Sequence, residues 1–502
     1  MSNTQETKAN TPQKQSRKPI ALAASALIAI AVVLAVALTF MRGEQPLDKP
    51  RNLLFILVDT LRTDAMGYLG SKSGATPYLD ELAASGTAFE NAWVQGTYTR
   101  ASFLSFMTSA HVRTIDWDFA IPGENPPPGA FCERTDLTTL AEVLSRNGFT
   151  SNAIVGNTFL FPKHGFPRGF HKWNRIEVAK MAGQKLPRWG MKKLVDDAVV
   201  KMAIEEIERW SFKERRFAYV HLMDPHLPHQ PPRAVRKRFN LPDQPRFIRA
   251  DEAKRIGETG TAEEKAVARK FYEASVYMAD RSVKRIMDAL RQTGHDRDTL
   301  VVFAADHGEQ IYEHGEFNHN AGVWEQLAHV PFILSGPGIE KRRVSRPVQL
   351  LDMAPTVLRL LEVPERPKSW QGKDLFNPGG ETFNVSERLG ETTLTKDARF
   401  KAIIDRDKNW RLFDLEKDRT EQNPIANDAV LNDLKARYNQ WLKEIPRGKL
   451  VRPKQPRGIC SSKSDEGDNT ELMEQLKALG YVTEDKGPPK MPYKNQKTPP
   501  RE

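Results

Sequence analysis

Cysteine is nearly absent: the chain has 502 residues and two cysteines, Cys132 and Cys460. That excludes a disulfide-dense scaffold and any zinc or iron–sulfur centre built on thiolates. The two would be free to pair if the folded part lies outside the cytoplasm, and their separation says nothing either way. Nucleic-acid signatures are missing too, with no recognition helix, no Cys/His finger and no interleaving of aromatic and basic residues. The net charge of +11 comes from 75 Lys and Arg against 64 Asp and Glu. The excess is spread along the chain, so clusters such as residues 233–238 read as solvated faces. It suits an anionic substrate or a membrane surface, and no nucleic acid.

Long hydrophobic runs are equally scarce, and the exception is residues 20–41, which carry no charge. About 20 apolar helical residues cross a hydrocarbon core of about 30 Å. Lys14, Arg17 and Lys18 precede the run, while Arg42, Lys49 and Arg51 follow it. The reading is one retained transmembrane anchor with a cytoplasmic N-terminus. A cleaved signal peptide, with Ala35-Val-Ala37 as its cleavage site, is the competing reading. Both send the remaining chain across the membrane. The expectation is therefore a single-pass protein of the inner (cytoplasmic) membrane, its folded part periplasmic.

What is present is strand–helix alternation. Residues 53–58 and 300–305 are unbroken apolar runs, as in strands buried on both faces of a parallel sheet. Each stops at an acid: Asp59 after the first, Asp306 with His307 after the second, where Gly308 frees the turn. Further strands are expected at 153–155, 217–220 and 330–334, and helices from Thr76-Pro77, at 136–147, 194–210, 264–291 and 355–361. This is the pattern of an α/β sandwich with a mainly parallel sheet. Around residue 399 the texture changes to short strands, 400–404 and 410–414, and a helix at 427–442. The divisions are a tail (1–19), the anchor (20–41), a linker (42–50), a large α/β domain (51–398), a small α+β unit (399–445) and a tail (446–502) with one helix at 471–480.

Three strands end in potential metal ligands: Asp59, Asp224 with His226, and Asp306 with His307. Such ends are where open α/β sheets bind ligands, and carboxylates beside imidazoles suit a divalent ion. The hydroxyl of Thr99 opens a helix-like stretch, where free N–H groups stabilise an anion. An ordinary threonine N-cap is the plainer reading of that residue.

In order along the chain, several segments resemble the sulfatases of the alkaline-phosphatase superfamily. Val58-Asp-Thr-Leu-Arg-Thr-Asp64 is similar to the family's opening strand and metal carboxylate. Thr99-Arg-Ala-Ser-Phe-Leu-Ser-Phe-Met-Thr-Ser109 has the pattern of its nucleophile signature. His221-Leu-Met-Asp-Pro-His-Leu-Pro228 resembles its Asp-Pro-His-x-Pro strand end, and Asp306-His-Gly-Glu309 with Glu313-His-Gly315 and Val330-Pro331 its later metal block. Leu351-Asp-Met-Ala-Pro-Thr356, Leu412-Phe-Asp-Leu415 and Leu476-Lys-Ala-Leu-Gly-Tyr481 match further landmarks. The resemblance implies an alkaline-phosphatase-like three-layer α/β/α sandwich. The departures are specific. Most sulfatases have a Cys or Ser converted to formylglycine where this chain has Thr99, which cannot be converted; the signature Pro is Ala101 and its Arg is Phe103. Asp59-Thr60 and Asp306-His307 are instead similar to superfamily phosphodiesterases and to phosphoethanolamine or glycerol-phosphate transferases.

The resemblance implies that Asp59, Thr99, Asp306 and His307 hold one divalent ion and that Thr99 attacks a phosphate or sulfate ester. A threonine hydroxyl needs a metal to become nucleophilic at neutral pH, and an imidazole ligand favours Zn²⁺ or Mn²⁺ over Ca²⁺. Charge developing on the transferred group needs donors: His226 and His319 as catalytic residues, Arg100 and Asn157 as substrate-binding ones. His229 and His314 complete a second metal site or face solvent. The substrate is an anionic ester of a glycan, lipid or small molecule. Two alternatives stand beside a hydrolase: a transferase passing the group to a lipid or glycan hydroxyl, and a non-catalytic relative that binds anionic glycans.

Overall fold

Strand β1, Asn52–Val58, is buried at every position, and the sheet is built outward from it. A computed structural model of the chain describes residues 49–448, apart from 117–130, 132–133, 158, 161, 177–190, 245–246, 320–321 and 378–382. The expected tail, anchor and helix at 471–480, most of the linker and both cysteines lie outside the described residues. Among the described residues no helix is long and apolar enough to cross a membrane.

Among the described residues the large sheet has nine strands. They are β1, β2 (Thr87–Trp93), β3 (Phe149–Val155), β4 (Lys172–Arg175), β5 (Arg215–Leu222), β6 (Thr299–Ala305), β7 (His329–Ser335), β8 (Arg342–Val344) and β9 (Val348–Gln349). Their order is β4-β3-β5-β1-β6-β7-β2-β8, with β9 also on β2. The pairs from β4 to β6 are parallel, while β7 runs against both neighbours. The sheet is therefore mixed. Register aligns the strand ends: Val58 lies opposite both Leu222 and Ala305. Asp59, the 223–226 turn and Asp306 thus emerge level with one another.

Helices α1 (Pro77–Ser85), α4 (Met191–Glu208) and α5 (Ala262–Gln292) pack together, as do α2 (Thr99–Thr108), α3 (Leu140–Arg146) and α6 (Met353–Leu360). Helix α3 starts later than residue 136 because Thr139 and Glu142 close a capping box there, which satisfies two of the free N–H groups at the helix start. The strand expected from 153 begins earlier, at Phe149. Strand β2 was not apparent in the sequence, because a register shift between Phe89 and Ala92 breaks its alternation.

The small sheet is antiparallel, β10 (Phe383–Arg388), β11 (Glu391–Lys396), β12 (Phe400–Ile404) and β13 (Trp410–Asp414), followed by α7 (Asp428–Glu444). It takes in two strands ahead of residue 399, hidden in the sequence by the polar residues of β10 and the threonines of β11. Alternation divides its faces. Val385, Leu394, Ala402, Ile404 and Leu412 meet Leu434 and Trp441 of α7, each fully buried aliphatic side chain contributing roughly 1.5–3 kcal/mol. Ile403 and Phe413 pack on Val323. Beside them Lys401, fully buried, pairs with Glu325 at 3.2 Å and Glu421 at 2.9 Å. At the edge, Glu387 N donates to Gln95 O at 2.9 Å and Arg388 Nη1 to Thr97 O at 2.8 Å. The small sheet thus braces the segment leading into Thr99.

Candidate active site

Asp59 follows β1 and Asp306-His307 follow β6, so parallel pairing alone brings their side chains together. One ligand atom from each of Asp59, Asp306 and His307 lies within 4.8 Å of the others, and all three residues are buried. His307 Nε2 is 3.5 Å from Asp306 Oδ2 and 3.9 Å from Asp59 Oδ1. Thr99 is the first residue of α2, with Tyr98 as its N-cap. Its Oγ1 lies 3.3 Å from His307 Nε2. The hydroxyl therefore sits inside the carboxylate–imidazole cluster and in the first turn of a helix, where N–H groups are free.

Each side chain of the cluster is oriented by a further contact. His307 Nδ1–H donates to Gly308 O at 2.8 Å, leaving Nε2 as the free lone pair. Burial, then the charge of His319, pushes the His307 imidazole well below its ordinary pKa, so it is neutral, the form that binds a cation. Asp59 Oδ2 accepts from Asn157 Nδ2 at 2.7 Å and from His221 Nε2 at 3.3 Å. His221 Nδ1 in turn faces the Tyr219 hydroxyl at 3.1 Å. Burial, helped by Asp306 and Asp59, pushes the Tyr219 phenol far up, so it keeps its proton to donate. Asp306 Oδ1 accepts from His307 N at 2.9 Å and Thr60 N at 3.3 Å. Thr60 holds a left-handed φ of 56° to aim that N–H, strain on the order of 1–3 kcal/mol for a β-branched residue.

The remaining carboxylate oxygens, Asp59 Oδ1 and Asp306 Oδ2, are buried with no hydrogen-bond partner among the described residues. Burial would raise the Asp59 carboxyl, but the His221 hydrogen bond, then the charge of His226, hold it below the usual range. Burial and the charge of Asp59 push Asp306 well above it. Two unpartnered carboxylate oxygens, a neutral imidazole nitrogen and a hydroxyl facing one point fit a divalent cation.

The other expected residues are distributed as follows. Asn157 also reaches Thr99 Oγ1 at 3.3 Å, so it braces the hydroxyl and the Asp59 carboxylate. The His319 ring is 4.6 Å from His307 and 5.0 Å from His226, centroid to centroid. Arg100 is half-buried next to Thr99 and makes no hydrogen bond or ion pair with the described residues. Among the described residues His229 and His314 join no second cluster of possible ligands: His229 is buried on Ser275, Tyr272 and Phe317, and His314 stacks on Trp324 at 3.6 Å. Neither is left to open solvent. Gly308 has no left-handed φ; it is small because a Cβ there would meet Gln326 O at 1.9 Å. Sequence reasoning missed His221, Tyr219 and Glu309, whose carboxylate meets His319 Nδ1 at 3.0 Å. The histidine cluster at 221–229 was the available signal for the first. Buried partners of ligands leave no mark in spacing.

A mixed α/β sheet with this carboxylate, imidazole and hydroxyl cluster at its strand ends is suited to metal-assisted ester hydrolysis. A sequence model of the sulfatase family matches residues 51–363, and the chain belongs to that family. An arylsulfatase of Clostridium perfringens (strain 13 / Type A) is 25% identical over 454 residues, covering 75% of this chain and 90% of that protein. The structure of a 2-O glycosaminoglycan sulfatase covers 83% of this chain and 98% of its own, at 19% identity and TM-score 0.62. That of a phosphonate monoester hydrolase of Agrobacterium radiobacter covers 79% and 95%, at 17% identity and TM-score 0.62. The protein is a sulfatase-family hydrolase. Enzymes of the family use a divalent metal, and Asp59, Asp306 and His307 are where this chain would hold it.

Proposed function

We propose that the protein is a membrane-anchored, extracytoplasmic ester hydrolase in which Thr99 is the nucleophile. The observation that carries this is the approach of Thr99 Oγ1 to His307 Nε2, at 3.3 Å, among two carboxylates with unpartnered oxygens. A bound Zn²⁺ or Mn²⁺, held by Asp59, Asp306, His307 and Thr99, would lower the pKa of the Thr99 hydroxyl and offset charge on the ester. Thr99 Oγ1 attacks sulfur or phosphorus, and the alcohol departs from the opposite side. Asn157 holds the hydroxyl in line through its 3.3 Å contact. His226 and His319 face the group in transfer, and Arg100 attracts its negative oxygens. Water then cleaves the threonine ester.

A threonine cannot be converted to formylglycine, and this favours phosphorus esters over sulfates. The substrate class is an anionic ester of a glycan, lipid or small molecule, and residues 20–41 anchor the chain in the inner membrane. The test is elemental analysis and turnover of the purified full chain. About one Zn or Mn per chain is expected, with hydrolysis of a chromogenic phosphonate monoester or phosphodiester faster than of an aryl sulfate. Thr99→Ala should abolish turnover while the ion stays partly bound. A metal-free chain without turnover contradicts the reading.

A further inference from the structure

Glu309 lies two residues beyond His307 in the loop that follows β6, and its side chain is 1% exposed. One carboxylate oxygen, Oε1, is 3.0 Å from His319 Nδ1. The other, Oε2, is buried without a hydrogen-bond partner among the described residues. A buried carboxylate is costly unless its contacts repay it, so one used for a single imidazole calls for a role. The loop is held for this contact. Gln310 N donates to Asn318 O at 3.0 Å, closing the loop between the two residues. Arg62 Nη1 donates to Glu309 O at 2.8 Å, and Arg62 is itself fixed by Asp64 and Glu313, each at 2.7 Å.

A carboxylate oxygen only accepts, so Nδ1 of His319 carries the hydrogen between them. Nε2, on the other edge of the ring, is then left for the cleft shared with His226 and His307. We propose that Glu309 is a positioning residue: it fixes the plane of the His319 ring so that Nε2 meets the bridging oxygen of the ester. The proposal rests on the reading of Thr99 as nucleophile. As the bond from Thr99 Oγ1 to sulfur or phosphorus forms, the bond to the bridging oxygen breaks. Its electron pair stays on that oxygen, which takes the Nε2 proton of His319 in its doubly protonated form and leaves as a neutral alcohol, the ring becoming a neutral imidazole. His319 keeps its Nδ1 hydrogen on Glu309. An imidazole oriented by a carboxylate is a recurrent way to direct such a transfer.

A carboxylate that merely ties the loop would affect all substrates alike, and the leaving group separates the two roles. In the full-length protein, turnover is compared for a 4-nitrophenyl ester, whose leaving group needs little protonation, and for the phenyl and methyl esters, which need it. Glu309→Ala is expected to lower kcat on the poor leaving groups by about 100-fold and on the 4-nitrophenyl ester by a few-fold at most. Glu309→Gln, whose amide oxygen still accepts from Nδ1, should recover most of the loss. Glu309→Asp keeps the charge but withdraws it, and should show the same leaving-group bias as alanine, carrying the test if alanine does not fold. Equal losses on all esters, no loss, or glutamine as damaging as alanine overturns the proposal. A wild type inactive on every ester overturns the nucleophile reading and this proposal with it; an active wild type with a flat leaving-group series overturns this proposal alone.

Discussion

Thr99 Oγ1 and His307 Nε2 lie 3.3 Å apart across 208 residues of chain. Two local facts bring them there: Thr99 opens a helix, and β6 ends in register with β1. The chain thereby places a hydroxyl against a neutral imidazole and two carboxylates, a donor set whose charge and burial call for a cation.

Removing the ion with a chelator should destabilise the protein, increasingly so as pH rises. The Asp306 carboxyl is pushed up by burial and by Asp59. A raised carboxyl contributes stability while protonated and loses it as pH climbs through its folded pKa. Chelated Asp306→Asn should lack that loss and be more stable than the chelated wild type at pH 7, yet gain nothing from added metal. Wild type should gain about 4 kcal/mol at a thousand-fold excess of metal over Kd. Urea unfolding with and without chelator at two pH values measures both.

His221→Phe should weaken metal binding about 10–100-fold, the usual cost of losing a ligand's supporting hydrogen bond. Asp59 Oδ2 would keep only Asn157, and its other oxygen would no longer be aimed. Competitive titration of the metal against a fluorescent chelator reads the change.

The cluster of Asp59, Asp306 and His307 was legible because buried parallel strands are apolar runs and their ends are abrupt. The hydroxyl of Thr99 needed the resemblance, since a threonine at a helix start is ordinarily a cap. The supporting layer was not legible. His221 and Tyr219 sit on β5 as part of a buried strand, and only the pairing of β5 with β1 turns them toward Asp59. Strand β2 and the hairpin β10–β11 were missed for a related reason: bulges and threonine-rich edges blur a period of two.

Lys401→Met should cost about 3–5 kcal/mol by leaving Glu325 and Glu421 buried without their cation. Burial alone would raise the Glu325 carboxyl, but Lys401 and His329 hold it well below its usual range. In wild type that depression adds stability above the ordinary carboxylate pKa, lost as pH falls. Without Lys401 the sign reverses, so the variant should be less impaired at pH 5 than at pH 8. Denaturation curves at the two pH values check this.

Arg100→Gln should raise KM about tenfold, some 1.4 kcal/mol, and leave kcat within a few-fold. Its guanidinium has no carboxylate partner among the described residues to lose, so stability should not change. Steady-state kinetics on a dianionic and a monoanionic ester, compared at low and high salt, measures the effect, which should be larger for the dianion.

The most direct measurement is mass spectrometry of the protein quenched in acid during turnover. If Thr99 attacks the ester, a sulfo or phospho adduct accumulates on the peptide holding Thr99 and is absent from Thr99→Ala. Turnover with no adduct on that peptide, or an adduct on another residue, would contradict it.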